Sequence, residues 1–207
     1  MIGHGGNSEV RKQAESGFSL LEVMISIVVL SVGLVSLLGV FGLAMASTQT
    51  SQQNMIAKQL ANEQYESIVT ARNTTQINWD QIQNTAGTQY CVVLPSPCGI
   101  FTGNATAPQF QPIYFAGADG IFGTADDAAA GEEYLTDPGQ DGIYNSADDV
   151  QIPLTGYTRA IQIGPLFDVN NNLITSLRSV TITVQFTTAQ SNQQKTYVLN
   201  SYIAQYP

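Results

Sequence analysis

Histidine is almost missing from this 207-residue chain, whose one imidazole belongs to His4. Beyond that position nothing is available to build a Ser-His or Cys-His nucleophile, or a histidine acid–base pair. Cations are scarce too: seven Lys and Arg stand against sixteen Asp and Glu, for a net charge of −9. A nucleic-acid partner is not expected, because neutralising phosphates takes clustered Lys and Arg. The chain has two cysteines, Cys91 and Cys98. Without imidazole partners they make a poor zinc site, and in an exported domain their spacing reads as a disulfide closing a short loop. Carboxylates alone remain for chemistry, and the chain is read as a non-enzyme. Charged side chains make up only 11 % of the residues, with Thr, Gln, Asn and Ser plentiful. A polar but uncharged surface suits a subunit packed against copies of itself or relatives.

The longest gap is in charge of either sign. After Glu22, no Lys, Arg, Asp or Glu occurs before Lys58. Such a run can span a bilayer, which takes about 20 predominantly apolar residues. Glu22 stands at its head, where an ionisable group in hydrocarbon needs a partner or a function. A secretory signal peptide would have a core of about 7–15 apolar residues before a small-residue cleavage site, and this run is longer. An ordinary membrane anchor needs no particular residues at its head. Arg11 and Lys12 precede the run and would hold that end in the cytoplasm.

Gly17-Phe18-Ser19-Leu20-Leu21-Glu22, placed before this apolar helix, resembles the processing site of type IV prepilins and type II secretion pseudopilins. Residues 20–34 are most similar to the minor pilins called pilus-modification (PilV-type) proteins. The resemblance implies that a prepilin peptidase cuts between Gly17 and Phe18 and methylates the new N-terminus of Phe18. Glu22 would then pair with the Phe18 ammonium of a neighbouring subunit, as a charge in an apolar fibre core requires. Residues 1–17 become a leader that takes His4 with it. Residues 18–46 become the membrane-spanning, filament-core half of a helix and residues 47–72 its amphipathic half, with residues 73–207 as the head. Implied partners are other pilin subunits, the peptidase and an inner-membrane assembly platform. The implied location is the bacterial inner membrane, head on the periplasmic or outer side, and then a filament. The function expected is a minor type IV pilin or pilin-like subunit. The alternatives are a type II secretion pseudopilin and a membrane-tethered, calcium-dependent binding or adhesion module.

The residues themselves carry the helix to about Arg72, a span of roughly 80 Å. Ile56, Ala57, Leu60, Ala61, Tyr65, Ile68 and Val69 form a stripe that can pack on a sheet, with Lys58, Asn62, Glu63 and Glu66 largely opposite. Gly33, Gly39 and Gly42 in the apolar half suit either close helix–helix packing or unwinding on polymerisation. Residues 76–155 lack a long periodic segment; Trp79 and Ile82 suit a short helix, and residues 90–94 a strand. Val180, Ile182, Val184 and Phe186 alternate with polar residues, as do Tyr157, Ile161 and Ile163, and residues 197–204 make a third strand. The expected fold is α+β and pilin-like. A long N-terminal helix packs on a small antiparallel sheet, a meander over residues 156–204, and a long loop-rich insertion precedes the meander.

An internal duplication lies within that insertion, over residues 117–149. Gly117-Ala118-Asp119-Gly120-Ile121-Phe122-Gly123-Thr124-Ala125-Asp126-Asp127 recurs as Gly139-Gln140-Asp141-Gly142-Ile143-Tyr144-Asn145-Ser146-Ala147-Asp148-Asp149. Nine acids and no Lys or Arg lie between Asp119 and Asp149. Such a density is repulsive unless water screens it or a cation neutralises it. The Asp-Gly turn can swing the trailing Asp pair back towards the leading Asp. Asp119, Asp126 and Asp127, and likewise Asp141, Asp148 and Asp149, then offer the oxygens that calcium takes. The first copy also resembles the Gly-Ala-Asp-Gly calcium loop of the major type II secretion pseudopilin. The other reading is a solvated acidic loop tacked down by Ile121, Phe122, Ile143 and Tyr144.

Overall fold

A computed structural model describes residues 17–87, 90, 91, 95, 98–188 and 192–205. Residues 1–16 of the expected leader, with Arg11 and Lys12, and positions 92–94 of the expected strand lie outside the described residues. The chain divides into two units, Met1–Ser47 and Thr48–Pro207, and helix α1 (Leu20–Asn73) supplies residues to both.

In the first unit α1 is apolar on every side, and its large side chains are exposed from Leu20 to Met45. Among the described residues this one helix is long and apolar enough to cross a membrane. Three of its serine hydroxyls are satisfied within the helix. Ser26, Ser31 and Ser36 donate to the carbonyls of Glu22, Ile27 and Val32 at 2.7, 2.7 and 2.8 Å. The helix runs unbroken through Gly33, Gly39 and Gly42, and nothing lies within 4 Å of where a Cβ would stand at any of them.

In the second unit α1 turns amphipathic and buries Ala57, Leu60, Ala61, Gln64, Ile68 and Ala71. It ends at a left-handed cap. Thr75 has φ 56°, and the amides of Thr75 and Gln76 donate to the carbonyls of Arg72 and Ala71 at 3.1 and 3.0 Å. This is the reciprocal pattern that closes helix C-termini, here with a threonine where glycine is usual.

Among the described residues, strands and one further short helix follow α1 and a 3₁₀ turn. They are β1 (Asn84–Ala86), β2 (Phe101–Asn104), β3 (Gln111–Pro112), α2 (Asp127–Ala130), β4 (Tyr134–Asp137), β5 (Val150–Pro153), β6 (Tyr157–Phe167), β7 (Leu173–Thr187) and β8 (Gln194–Ala204). The main sheet has the order β3-β6-β7-β8 and is antiparallel throughout. Its last three strands are the expected meander, longer than the alternation alone indicates because both hairpin ends continue the ladder. One face presents Ile161, Ile163, Val180, Ile182, Val184 and Phe186 to a core shared with Leu60 and Ile68 of α1. The fold is therefore α+β, a long N-terminal helix packed against antiparallel sheet.

The insertion is less bare than expected. β1 and β2 pair in parallel, and β4 and β5 form a hairpin whose loop is the second acidic copy. The expected short helix is a single 3₁₀ turn over Trp79–Gln81. Tyr90 and Cys91 are not in a strand. The Gln83 side chain holds Tyr90 instead, accepting from its amide at 2.6 Å and donating to its carbonyl at 3.0 Å. Cys91 and Cys98 are disulfide-bonded, with Cα atoms 5.8 Å apart.

Candidate functional site

Gly17, Phe18 and Ser19 precede α1 in non-helical backbone, and the first turn closes on Ser19, whose carbonyl accepts from the amides of Glu22 and Val23 at 3.0 and 3.2 Å. The Gly17–Phe18 bond thus lies two residues outside the helix. Phe18 is exposed and nothing crowds Gly17. A peptidase needs such an uncovered bond outside regular helix, because helical backbone does not fit a cleft that binds its substrate as a strand. Glu22 falls in the first helical turn, where the positive end of the helix dipole favours a carboxylate.

The two acidic copies share one internal architecture. In the first, the Ile121 amide donates to Asp119 at 2.8 Å and the Asp119 amide to Asp126 at 3.2 Å. The Thr124 hydroxyl reaches Asp126 at 2.6 Å, and the Gly123 amide reaches Asp127 at 2.5 Å. In the second, the Ile143 amide donates to Asp141 at 2.8 Å and the Asp141 amide to Asp148 at 3.3 Å. Ser146 reaches Asp148 at 2.5 Å, and the Asn145 amide reaches Asp149 at 2.7 Å. Gly120 and Gly142 both have φ 69° at the Asp-Gly turn. The duplication in sequence is a duplication in structure, and each Asp organises its own loop.

Their surroundings differ. In the first copy Ile121 is 2 % exposed, and Phe122 is held to α1 through its backbone. The Phe122 amide donates to the Ser67 hydroxyl at 3.0 Å, and its carbonyl accepts from the Gln64 amide at 2.5 Å. The Gln76 side chain donates to the Asp119 carbonyl at 2.5 Å, and the Gly123 carbonyl accepts from Thr102 of β2 at 2.7 Å. Gly123 (φ 86°) packs so closely that a Cβ there would collide with Ile161 and press on Gln64. Its counterpart Asn145 keeps the left-handed conformation at φ 66°. In the second copy Ile143 and Tyr144 are 63 % and 62 % exposed.

The carboxylates follow these surroundings. Asp119, Asp126 and Asp127 each bring an oxygen within 4.8 Å of the others, the one such group of three among the described residues. Asp141, Asp148 and Asp149 lie round the Ser146 hydroxyl, at 3.4, 2.5 and 3.2 Å, much as Asp126 and Asp127 lie 2.6 and 3.3 Å from the Thr124 hydroxyl. Burial pushes Asp127 up from the ordinary carboxylate value, against the pull of the Gly117, Gly123 and Thr124 amides. The Thr124 hydroxyl and the Asp119 amide hold Asp126 down, and Ser146 and the Gln140 amide do the same for Asp148.

Beneath the first copy lies a charged cluster that the alternating pattern conceals. Arg159 sits in phase with Tyr157 and Ile161 on the inward face of β6 and is buried with them. Its guanidinium donates to the Leu60 carbonyl at 3.3 Å and stands 5.7 Å from the centre of the Phe122 ring. Burial lowers its pKa, while Glu63, Glu133 and Asp127 offset that. Glu63 is therefore half-buried and turned towards Arg159, a correction to its expected place on the outer side of α1. Burial, and then the nearby Glu63, raise Glu133 to about 7. Among the described residues, no donor reaches one Glu133 oxygen or the Gln64 side-chain oxygen, both buried. A second buried arginine, Arg178, donates to the Ile82 carbonyl and stacks 4.5 Å from the Trp79 ring, lining a groove of about 660 Å³ with Asp80 and Tyr90.

Residues 12–38 match the prokaryotic N-terminal methylation motif. No curated protein and no solved structure matches the chain. The matched residues cover the Gly17–Phe18 bond, Glu22 and the first turns of the apolar helix, while the head carries its own duplicated acidic loops. By that motif the N-terminal segment is type IV prepilin-like.

Proposed function

We propose that this chain is a minor type IV pilin or pilin-like subunit. Residues 18–46 hold it in the inner membrane with the head on the periplasmic or outer side. A prepilin peptidase then cuts after Gly17, and the chain joins other pilins on an assembly platform. One observation carries the reading: Gly17-Phe18 followed by Glu22 heads an apolar helix with no further charge before Lys58. Glu22 in hydrocarbon is tolerable only when paired, and the ammonium freed at Phe18 of a neighbour supplies that pair. Glu22→Ala tests it. The variant should be processed normally yet missing from sheared filaments; full incorporation would contradict the pairing role of Glu22, and unaltered surface function from an unprocessed protein would favour a tethered binding module instead.

A second reading concerns calcium, and the convergence of Asp119, Asp126 and Asp127 favours it. Oxygens within 4.8 Å of one another suit an ion that takes its ligands at about 2.3–2.6 Å, since opposite ligands then stand roughly twice that distance apart. Asp141, Asp148 and Asp149 lack this convergence, so the first copy is the better candidate.

A further inference from the structure

We propose that the second acidic copy docks a second copy of this chain through the exposed strip of α1 bearing Met55, Lys58 and Gln59. The first copy shows what this motif does with a helix. Its Ile121 inserts, and both backbone groups of the next residue bond to Gln64 and Ser67, one turn apart on α1. The second copy has the same turn, the same carboxylate-to-amide bonds and the same apolar pair, with Ile143 and Tyr144 exposed. Its hairpin adds Val150 and Ile152, exposed on one face of β5.

Charge selects the occupant. Asp137, Asp141, Asp148 and Asp149 flank that apolar pair in sequence, and no Lys or Arg lies between Arg72 and Arg159. Lys58 is the one cation on α1 between Glu22 and Arg72, and it is exposed. Met55, 64 % exposed, and Gln59 flank it on the same helical face. Met55 can cover Ile143 and Tyr144 while the Lys58 ammonium meets the carboxylates and Gln59 offers the amide that Gln64 gives the first copy. The Gln64 and Ser67 face of the second chain is already filled by its own first copy, which leaves this strip. The inference rests on the pilin reading only in placing two chains in one membrane, where tethering raises effective concentration and a weak contact suffices.

The test is cysteine cross-linking of the full chain in membranes, with Tyr144→Cys and Met55→Cys on differently tagged copies. Cys91 and Cys98 are bonded to each other and do not compete. Mild oxidation should give a two-tag dimer roughly tenfold above a Val169→Cys and Met55→Cys control, whose fully exposed Val169 tests chance encounter. Lys58→Glu should remove most of that excess and Lys58→Arg should keep it. Intact mass of the same sample reports cleavage after Gly17, so the two readings fail separately. Processed chains without the dimer overturn the docking alone, and unprocessed chains with it overturn only the pilin reading. A dimer no stronger than the control, or Tyr144→Cys captured only by a different protein, overturns the proposal.

Discussion

The two acidic copies fold alike and live differently. Each closes its loop by turning carboxylates onto its own amides, so local sequence sets the loop in both. What differs is the neighbour. Gln64, Ser67 and Gln76 seize the first copy, while the second caps the β4–β5 hairpin with its apolar pair in solvent. Gly123 and Asn145 register this in one atom. Both are left-handed, but only Gly123 sits where a Cβ would collide. Asparagine tolerates that conformation, so it serves where nothing packs against it. A motif can thus be conformationally complete before any tertiary contact decides its use.

The same substitution made in each copy measures the difference. Ile121→Ala should destabilise the folded head by about 2–5 kcal/mol, as emptying a closed site does. Ile143→Ala should stay within about 0.5 kcal/mol. Equal losses in chemical denaturation would mean that the second copy is packed too. Next in size, Asp127→Ala strands the buried Gly123 and Thr124 amides, each costing about 1–3 kcal/mol if left unpaired, and the part-buried Gly117 amide. Asp149→Ala exposes its Asn145 amide to water and should cost far less.

Calcium should sharpen the contrast further. If the first copy holds the ion, a hundredfold excess over Kd adds about 2.7 kcal/mol to head stability. Asp119→Ala should abolish the resulting rise in Tm, and Asp141→Ala should leave it intact. Equal melting in calcium and in chelator, with no heat of binding, would return the loop to solvated acid.

The smallest effect is in pH. Glu133, raised from 4.5 to about 7, binds its proton more tightly in the folded protein than in the unfolded chain. Its contribution is complete below about pH 4.5 and is lost as pH rises through about 7. Glu133→Gln should flatten that decline in Tm. A decline of undiminished slope would place its cause elsewhere, with Glu63 next to test.

Much of the fold was legible because burial there is periodic. Val180, Ile182, Val184 and Phe186 are all buried at alternate positions, and the α1 stripe from Ala57 to Ile68 repeats at helical spacing. The misses share a cause. Arg159 and Gln64 occupy core positions while looking like surface residues, because their partners come from segments far along the chain. β1, β3 and β5 are too short for periodicity, and all of β5 is exposed. The Asp positions of the duplication were readable, but not which copy would be covered, since Ile121-Phe122 and Ile143-Tyr144 are nearly the same pair.

The central claim is that the N-terminus is a prepilin processing site heading an assembly helix. Intact-mass analysis with N-terminal sequencing of the membrane-extracted chain tests it most directly. The account predicts a mature species beginning at N-methyl-Phe18, with Gly17→Ala accumulating the full-length form. A mature wild-type chain that still carries Arg11 or His4 would contradict it.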